Sequence, residues 1–411
     1  MLKKITNYQN STSFFPNLFI GIITALLFSA FIYLEHYDFH IKIINTIFAL
    51  LSLGLLLYIQ KKAILVAGFS IGILWFYWIG YSFGYTGVGW MTPIITFSFG
   101  IIYMLFFGTL ATTNKVYIRA ILLLALSFFE PFDWNWLQIE LIFVDSYIGV
   151  EKYQLILVLL ALSLPKYLKK PFTYFPLALI FLALNFNHTT QKDAPLKIKL
   201  IATNVKQEEK WLIESKYPLI NQNLDEIQKA IDNKYDLVVL PESCFPIFMN
   251  RYSSLIDKLK KLSYKISIVA GTLYRDSDKN YNVTYFFENG KIQVARKMVL
   301  VPFGEYVPLP KFAQKFVSDF FFDGQADFTQ AEKPSDFIIK GVKFRNAICY
   351  EATCQEIYDG DVEFVIAVSN NGWFKPSIEP TLQKLLLRYY ARKNGVTIYH
   401  SANWSGTGII K

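Results

Sequence analysis

Three side chains suited to acyl transfer stand at the ends of apolar runs in this 411-residue chain. Cys349 closes FRNAIC, Glu242 closes DLVVLPE, and Lys297 opens KMVLVPFGEYVPLP. A cysteine attacks a carbonyl as its thiolate, so a base must take the thiol proton, and Glu242 has the chemistry to do so. The attacked oxygen gains negative charge, which Lys297 could stabilise together with a backbone N–H such as that of Tyr350. Glu242 would then return the proton to the leaving group. Spacing alone leaves a plainer reading open, in which Glu242 caps a strand, Lys297 faces solvent and Cys349 fills a core.

Composition excludes several other chemistries. Three cysteines and four histidines form no metal-ligand pattern, so a zinc site is not expected. An odd cysteine count leaves at least one thiol outside any disulfide. Cys244 and Cys354 could pair in an oxidising compartment, but two buried thiols is the favoured reading. The net charge of +9 is spread along the chain and gathers into no basic cluster, which argues against nucleic acid.

The elements that would hold the three residues lie in the second half of the chain. KIKLIATNV, DLVVLPES, KISIVAGTLY, VKFRNAICYE, EFVIAVSNN and GVTIYHSAN read as strands, the last of them final in the chain. LINQNLDEIQKAIDN and PTLQKLLLRYYARKN read as amphipathic helices, and Asn289-Gly290 as a hairpin turn. Strands alternating with helices predict an α/β sandwich over residues 191–411, with its chemistry at strand ends.

Residues 1–190 have a different composition. Apolar runs near 16–34, 43–59, 63–83, 92–112, 116–131, 153–168 and 172–187 predict about seven membrane helices, the last three short. The first run is read as a span and not as a cleaved signal, because no small-residue cleavage site follows it. Lys3, Lys4, Lys61, Lys62, Lys115, Arg119, Lys166, Lys169 and Lys170 fall on one side of these spans. Glu35, Asp38, Glu130, Asp133, Glu140 and Asp145 fall on the other. The basic side is expected to be cytoplasmic, which places residues 191–411 outside. The segment Glu130–Tyr147, with Trp134, Trp136 and Phe143, is expected to lie at the lipid–water interface.

LPES, KMVLVPFGEYVPLP and CYE together resemble the Glu-Lys-Cys triad of the nitrilase, or carbon–nitrogen hydrolase, superfamily. LVPFGEYVP and SNNGWF narrow the resemblance to the apolipoprotein N-acyltransferases. The motifs run from about Lys197 to Gly408. That resemblance implies a polytopic α-helical membrane domain followed by an αββα nitrilase-like domain. It also implies Glu242 as general base, Lys297 as oxyanion stabiliser and Cys349 as nucleophile. Glu305, Tyr350 and Glu351 are implied as supporting residues, and Trp211 as part of a loop at the lipid entrance. Taken by itself, Trp211 would more often be a half-buried core aromatic.

The family reaction would move an acyl chain from a phospholipid, typically phosphatidylethanolamine, through a cysteine thioester. The acceptor would be the α-amine of a lipoprotein's diacylglyceryl-cysteine, and the resemblance implies that no cofactor, metal or nucleotide is needed. A monomer in the bacterial inner membrane, with its catalytic domain facing the periplasm, is expected. Two departures stand out. Relatives are expected to continue through a further strand and membrane helix, and the family's Arg-Ala-x-Glu pattern reads here Tyr390-Ala391-Arg392-Lys393. A membrane-bound amidase using the same triad, and a silent lipid-binding scaffold, are the competing readings. The full triad argues against the scaffold, and the many apolar runs argue against the amidase.

Overall fold

The computed structural model describes residues 14–185, 191–307 and 328–411. Lys3, Lys4, the boundary at residue 190 and the Pro308–Pro310 end of the lysine loop lie outside the described residues. Packing divides the chain into two units, 1–131 with 135–188 and 132–134 with 189–411.

The first unit is helical. Its helices are α1 (Phe14–His36), α2 (Lys42–Tyr58), α3 (Lys61–Phe76), α4 (Thr92–Ala111), α5 (Val116–Leu126) and α6 (Lys152–Ser163). A 3₁₀ stretch, Phe172–Ala178, then runs into a short helix, Leu179–Leu182. Three stretches among the described residues are long and apolar enough to cross a membrane: Phe14–His36, Lys61–Tyr85 and Gly89–Ala111. The other expected spans also carry helix but are shorter. At about 1.5 Å per residue, α5 reaches little more than half of a hydrocarbon core about 30 Å thick.

Small residues let these helices approach closely. A Cβ on Gly21 of α1 would sit 2.7 Å from the Ala63 carbonyl oxygen of α3, and one on Gly72 of α3 would sit 2.4 Å from that of Phe99 on α4. Two charges read from the sequence as loop charges are internal. The Arg119 guanidinium donates to the Leu57 and Ile59 carbonyls at the end of α2, at 3.1 and 2.7 Å. Glu140 is fully buried and pairs with Lys152 at 2.6 Å.

Part of the segment expected at the interface packs inward. Trp136 and Phe143 are buried within the unit, with Trp136 against Trp78 at 5.2 Å. Phe132 and Tyr147 of the same segment are exposed.

The second unit holds two five-stranded sheets. The first runs β1 (Ile198–Leu200), β2 (Leu237–Val239), β3 (Ser267–Asp276), β4 (Lys279–Glu288), β5 (Lys291–Arg296) in that spatial order. The second runs β10 (Gly408–Ile410), β9 (Thr397–Asn403), β8 (Phe364–Asn370), β7 (Val342–Ile348), β6 (Asp336–Ile339). In the first sheet β1, β2 and β3 pair parallel and β4 and β5 add antiparallel; in the second the inner strands β9, β8 and β7 pair parallel and the edge strands β10 and β6 antiparallel.

Alternation along β2 shows why the layers form. Leu237 and Val239 face the core between the sheets with Phe286, Phe344 and Val368. Val238 faces the outer layer, where α7 (Lys216–Asp232) and α8 (Ser253–Leu262) bury Ile227 and Leu259. A strand covered on both faces must be apolar throughout, as LVVL (Leu237 to Leu240) is. Helix α9 (Glu379–Asn394) buries Leu382, Leu385 and Leu386.

Three sequence expectations change here. KIKLIATNV is regular strand only over Ile198–Leu200, because the chain then turns to bridge Asn403 at Thr203. GVTIYHSAN is not the last strand, since β10 pairs antiparallel with it. Strand β6 carried too few periodic residues to stand out, whereas helix α8 was overlooked although Leu255, Ile256, Leu259 and Leu262 fall at helical spacing. The hairpin at Asn289-Gly290 is present, both residues having positive φ (48° and 74°).

Candidate active site

Each expected triad residue follows a strand. β2 ends at Val239 and runs through Leu240-Pro241 to Glu242; β5 ends at Arg296, immediately before Lys297; β7 ends at Ile348, immediately before Cys349. Cys349 has φ +54° and Ser243, next to Glu242, has φ +48°. Non-glycine residues rarely take this left-handed conformation, which costs on the order of 1–3 kcal/mol and often marks functional turns.

The Glu242 turn is knitted to β3. Gly271 lies so close that a Cβ there would stand 2.5 Å from the Glu242 Cα and 2.7 Å from the Pro241 carbonyl oxygen. The Thr272 hydroxyl donates to the Phe245 carbonyl at 2.9 Å, and the Cys244 thiol to the Gly271 carbonyl at 3.3 Å.

Lys297 is 1% exposed and pairs with Glu305 at 2.6 Å. Burial alone would lower its ammonium pKa, but Glu305, Glu242 and Cys349 together hold it above its ordinary value. Asn282 of β4 donates to both Glu242 Oε1 at 2.7 Å and Glu305 Oε1 at 3.1 Å. One amide therefore aligns two carboxylates around the buried cation.

Burial pushes the Cys349 thiol well above its usual range; Glu242, Glu379 and Glu305 add to this, and Lys297 opposes it. Glu242, Lys297 and Cys349 thus lie near enough for each charge to bear on its neighbours' ionisation. The plain reading of Lys297 as a solvated surface lysine does not hold.

Glu351 ties two of these strand ends together. One carboxylate oxygen accepts from Ile348 N–H at 2.6 Å, and the other from Met298 and Val299 N–H at 2.7 and 3.2 Å. Burial raises its pKa to about 7 against Lys297 and these three donors, which favour the charged form. The Tyr350 ring stacks on Trp134, grouped in this same unit, at 5.6 Å and 7°.

Trp211 is 44% exposed and is followed by exposed Leu212 and Ile213, so it is not a core aromatic. No disulfide joins Cys244 to Cys354, whose thiol is directed at the Tyr350 carbonyl at 3.5 Å. Lys393, where relatives are expected to carry glutamate, donates to Gln355 Oε1 at 2.8 Å.

The sequence did not point to four residues of this site: Lys210, Asn282, Glu379 and Gln383. Lys210 is buried beside exposed Trp211, donates to the Glu242 carbonyl at 3.1 Å, and has its pKa lowered by burial to about 8. Glu379 and Gln383 stand one turn apart on α9, a spacing that puts both on one face. That i,i+4 polar pair on an otherwise apolar face was the available signal. Among the described residues, no cluster of His, Cys, Asp or Glu could hold a metal ion.

Residues 15–186 match the apolipoprotein N-acyltransferase integral membrane domain, and residues 205–407 match the carbon-nitrogen hydrolase family. A protein of Wolinella succinogenes named apolipoprotein N-acyltransferase is 40% identical over 399 residues, 96% of each chain. The chain belongs to the apolipoprotein N-acyltransferase family.

The Helicobacter hepaticus protein of the same name is 37% identical over 391 residues, covering 92% of this chain and 96% of its own. That of Helicobacter pylori is 35% identical over 374 residues, 89% of this chain and 87% of its own. The fold expected from the sequence therefore stands, a helical membrane domain followed by a carbon–nitrogen hydrolase domain. The protein is a multi-pass membrane enzyme of the carbon–nitrogen hydrolase superfamily.

Proposed function

We propose that this enzyme transfers a fatty acyl chain from a phospholipid to the amino terminus of a diacylglyceryl-modified lipoprotein through a thioester on Cys349. Glu242 takes the thiol proton as the sulfur attacks the ester carbonyl of the donor. The Lys297 ammonium and the Tyr350 backbone N–H stabilise the tetrahedral oxyanion. Its collapse breaks the ester C–O bond, and the departing lysophospholipid oxygen takes the proton back from Glu242.

In the second half-reaction the lipoprotein's α-amine attacks the thioester carbonyl and gives its proton to Glu242. The C–S bond breaks, an amide forms, and the sulfur is reprotonated. Glu305 holds Lys297, Tyr350 and Glu351 brace the nucleophile's turn, and exposed Trp211 meets incoming lipid.

The observation that carries this reading is the buried Lys297, paired with Glu305 and coupled to both Glu242 and Cys349. A cation so deeply buried needs the anionic partners around it, and a developing oxyanion is one more. The membrane unit and the relatives' names favour lipid substrates over the small amide of an amidase. Seven spans would put Lys61, Lys62, Lys115, Lys166, Lys169 and Lys170 in the cytoplasm and the catalytic unit in the periplasm, at the inner membrane. The enzyme works as a monomer without metal or nucleotide.

The test is intact mass spectrometry of purified protein incubated with phosphatidylethanolamine, beside Cys349→Ala. A mass gain of one acyl group that hydroxylamine removes, that Cys349→Ala lacks and that a diacylated lipopeptide discharges is expected. Absence of the adduct with hydrolysis of small amides would overturn the reading in favour of an amidase.

A further inference from the structure

We infer that Gln383 is a further catalytic residue, a side-chain amide held by Asn371 so that its N–H donates to the Cys349 sulfur. The inference rests on Cys349 being the nucleophile.

A chain of polar contacts fixes the orientation of this amide. Asn371 Nδ2 donates to the Ser405 backbone carbonyl at 2.9 Å and to Gln383 Oε1 at 3.0 Å. A backbone carbonyl can only accept, so the end of Asn371 beside it must be the NH₂ group. That group can only donate, so the end of Gln383 facing it must be the oxygen. The Gln383 NH₂ is thereby turned the other way, where Nε2 lies 3.9 Å from Cys349 Sγ. Gln383 is 1% exposed, and Asn371 is equally buried. Neither side chain can swing to solvent, so the donor is preorganised.

The electrostatics of the site give such a donor a purpose. Glu242, Glu379 and Glu305 all disfavour negative charge on the sulfur, as does burial, and Lys297 favours it. Lys210 is a second buried ammonium coupled to the thiol. Glu379 lies one helical turn before Gln383, and its Oε2 has no hydrogen-bond partner among the described residues. Its own pKa is pushed well up by burial and then by Glu242. A neutral amide stabilises the thiolate without adding a charge that would need a partner of its own. The hydrogen bond strengthens as the sulfur becomes anionic, in thiolate formation and again when the thioester breaks.

The experiment compares Gln383→Met and Gln383→Glu with the unaltered full-length protein in detergent. The readout is the rate of Cys349 alkylation by iodoacetamide between pH 7 and 10, followed by mass spectrometry. Loss of one hydrogen bond to a charged group corresponds to about tenfold less thiolate. A more basic sulfur is a better nucleophile, so the alkylation rate of Gln383→Met at pH 8 should fall only about threefold.

Gln383→Glu keeps the oxygen that Asn371 needs but sets a carboxylate beside the sulfur. Its rate should fall further than that of Gln383→Met, through charge as well as the lost donor. The uncharged Gln383→Met, read as an upward shift in the midpoint of the pH profile with Tm unchanged, isolates the donor. Wild-type reactivity in Gln383→Glu, or in a folded Gln383→Met, would overturn the inference. If Cys349 of the unaltered protein resisted alkylation across the whole range, the nucleophile assignment itself would fall, and this inference with it.

Discussion

Adding one methyl group at Gly271 should slow thioester formation although Gly271 carries no chemistry. A Cβ there would stand 2.5 Å from the Glu242 Cα, 2.7 Å from the Pro241 carbonyl oxygen and 2.8 Å from the Ser243 nitrogen. All three are backbone atoms, so no side chain can rotate away. Carbon atoms in contact sit about 3.5–4.0 Å apart, so β3 and the Glu242 turn must separate by roughly 1 Å. Overpacking of this kind costs about 1–3 kcal/mol, which the domain can survive.

The larger effect is on Glu242, held to Asn282 at 2.7 Å and coupled to Cys349. Misplacing a catalytic group by about 1 Å costs on the order of 10²-fold in rate. Gly271→Ala should therefore form acyl-enzyme about 100-fold more slowly while still unfolding cooperatively on heating. Gly408→Ala, where a Cβ meets nothing within 4 Å, serves as the control. Rapid quenching with intact mass measurement gives both rates. Acylation of Gly271→Ala at the control rate would refute the claim that close approach of β3 positions Glu242.

Two further outcomes follow from the same geometry. Glu351→Gln replaces an oxygen that accepts backbone N–H groups with an NH₂ group, orphaning at least one buried donor; a loss of about 1–3 kcal/mol and slower acylation are expected, read by thermal unfolding and quench kinetics. Lys210→Met should stabilise the fold near neutral pH. The native ammonium has a pKa of about 8 against an ordinary 10.5, so between these values the unfolded chain holds the extra proton and stability rises with pH. Below pH 8 burying this cation costs about 3 kcal/mol, less about 1 for the lost hydrogen bond to the Glu242 carbonyl, leaving a gain of about 2 kcal/mol. The gain should vanish by about pH 10.5, and chemical denaturation at pH 7 and 10.5 checks it.

Legibility in the sequence followed the physics of each signal. Long apolar runs and two-sided apolar strands such as LVVL are set by burial and survive in any local reading. Asn289-Gly290 turned where expected because positive φ at two successive residues has a strong local preference. Strand β6 and strand β10 were missed because edge strands of three or four residues carry almost no periodicity. Arg119 and Glu140 were read as loop charges because their buried partners come from elsewhere in the fold, α2 for Arg119 and Lys152 for Glu140.

By itself, the sequence determined the two-domain order, the candidate residues Glu242, Lys297 and Cys349, and the family resemblance, all of which depend on residue type and local pattern. Only the tertiary structure decided that Asn282 joins Glu242 to Glu305 and that Glu351 fastens Ile348 to Met298. The approach of Gly271 to the Glu242 backbone and the aim of Gln383 at the sulfur were likewise settled there. Each of these is a meeting of residues from separate strands, turns or helices, and which separate elements meet is decided by packing the whole sandwich around one core.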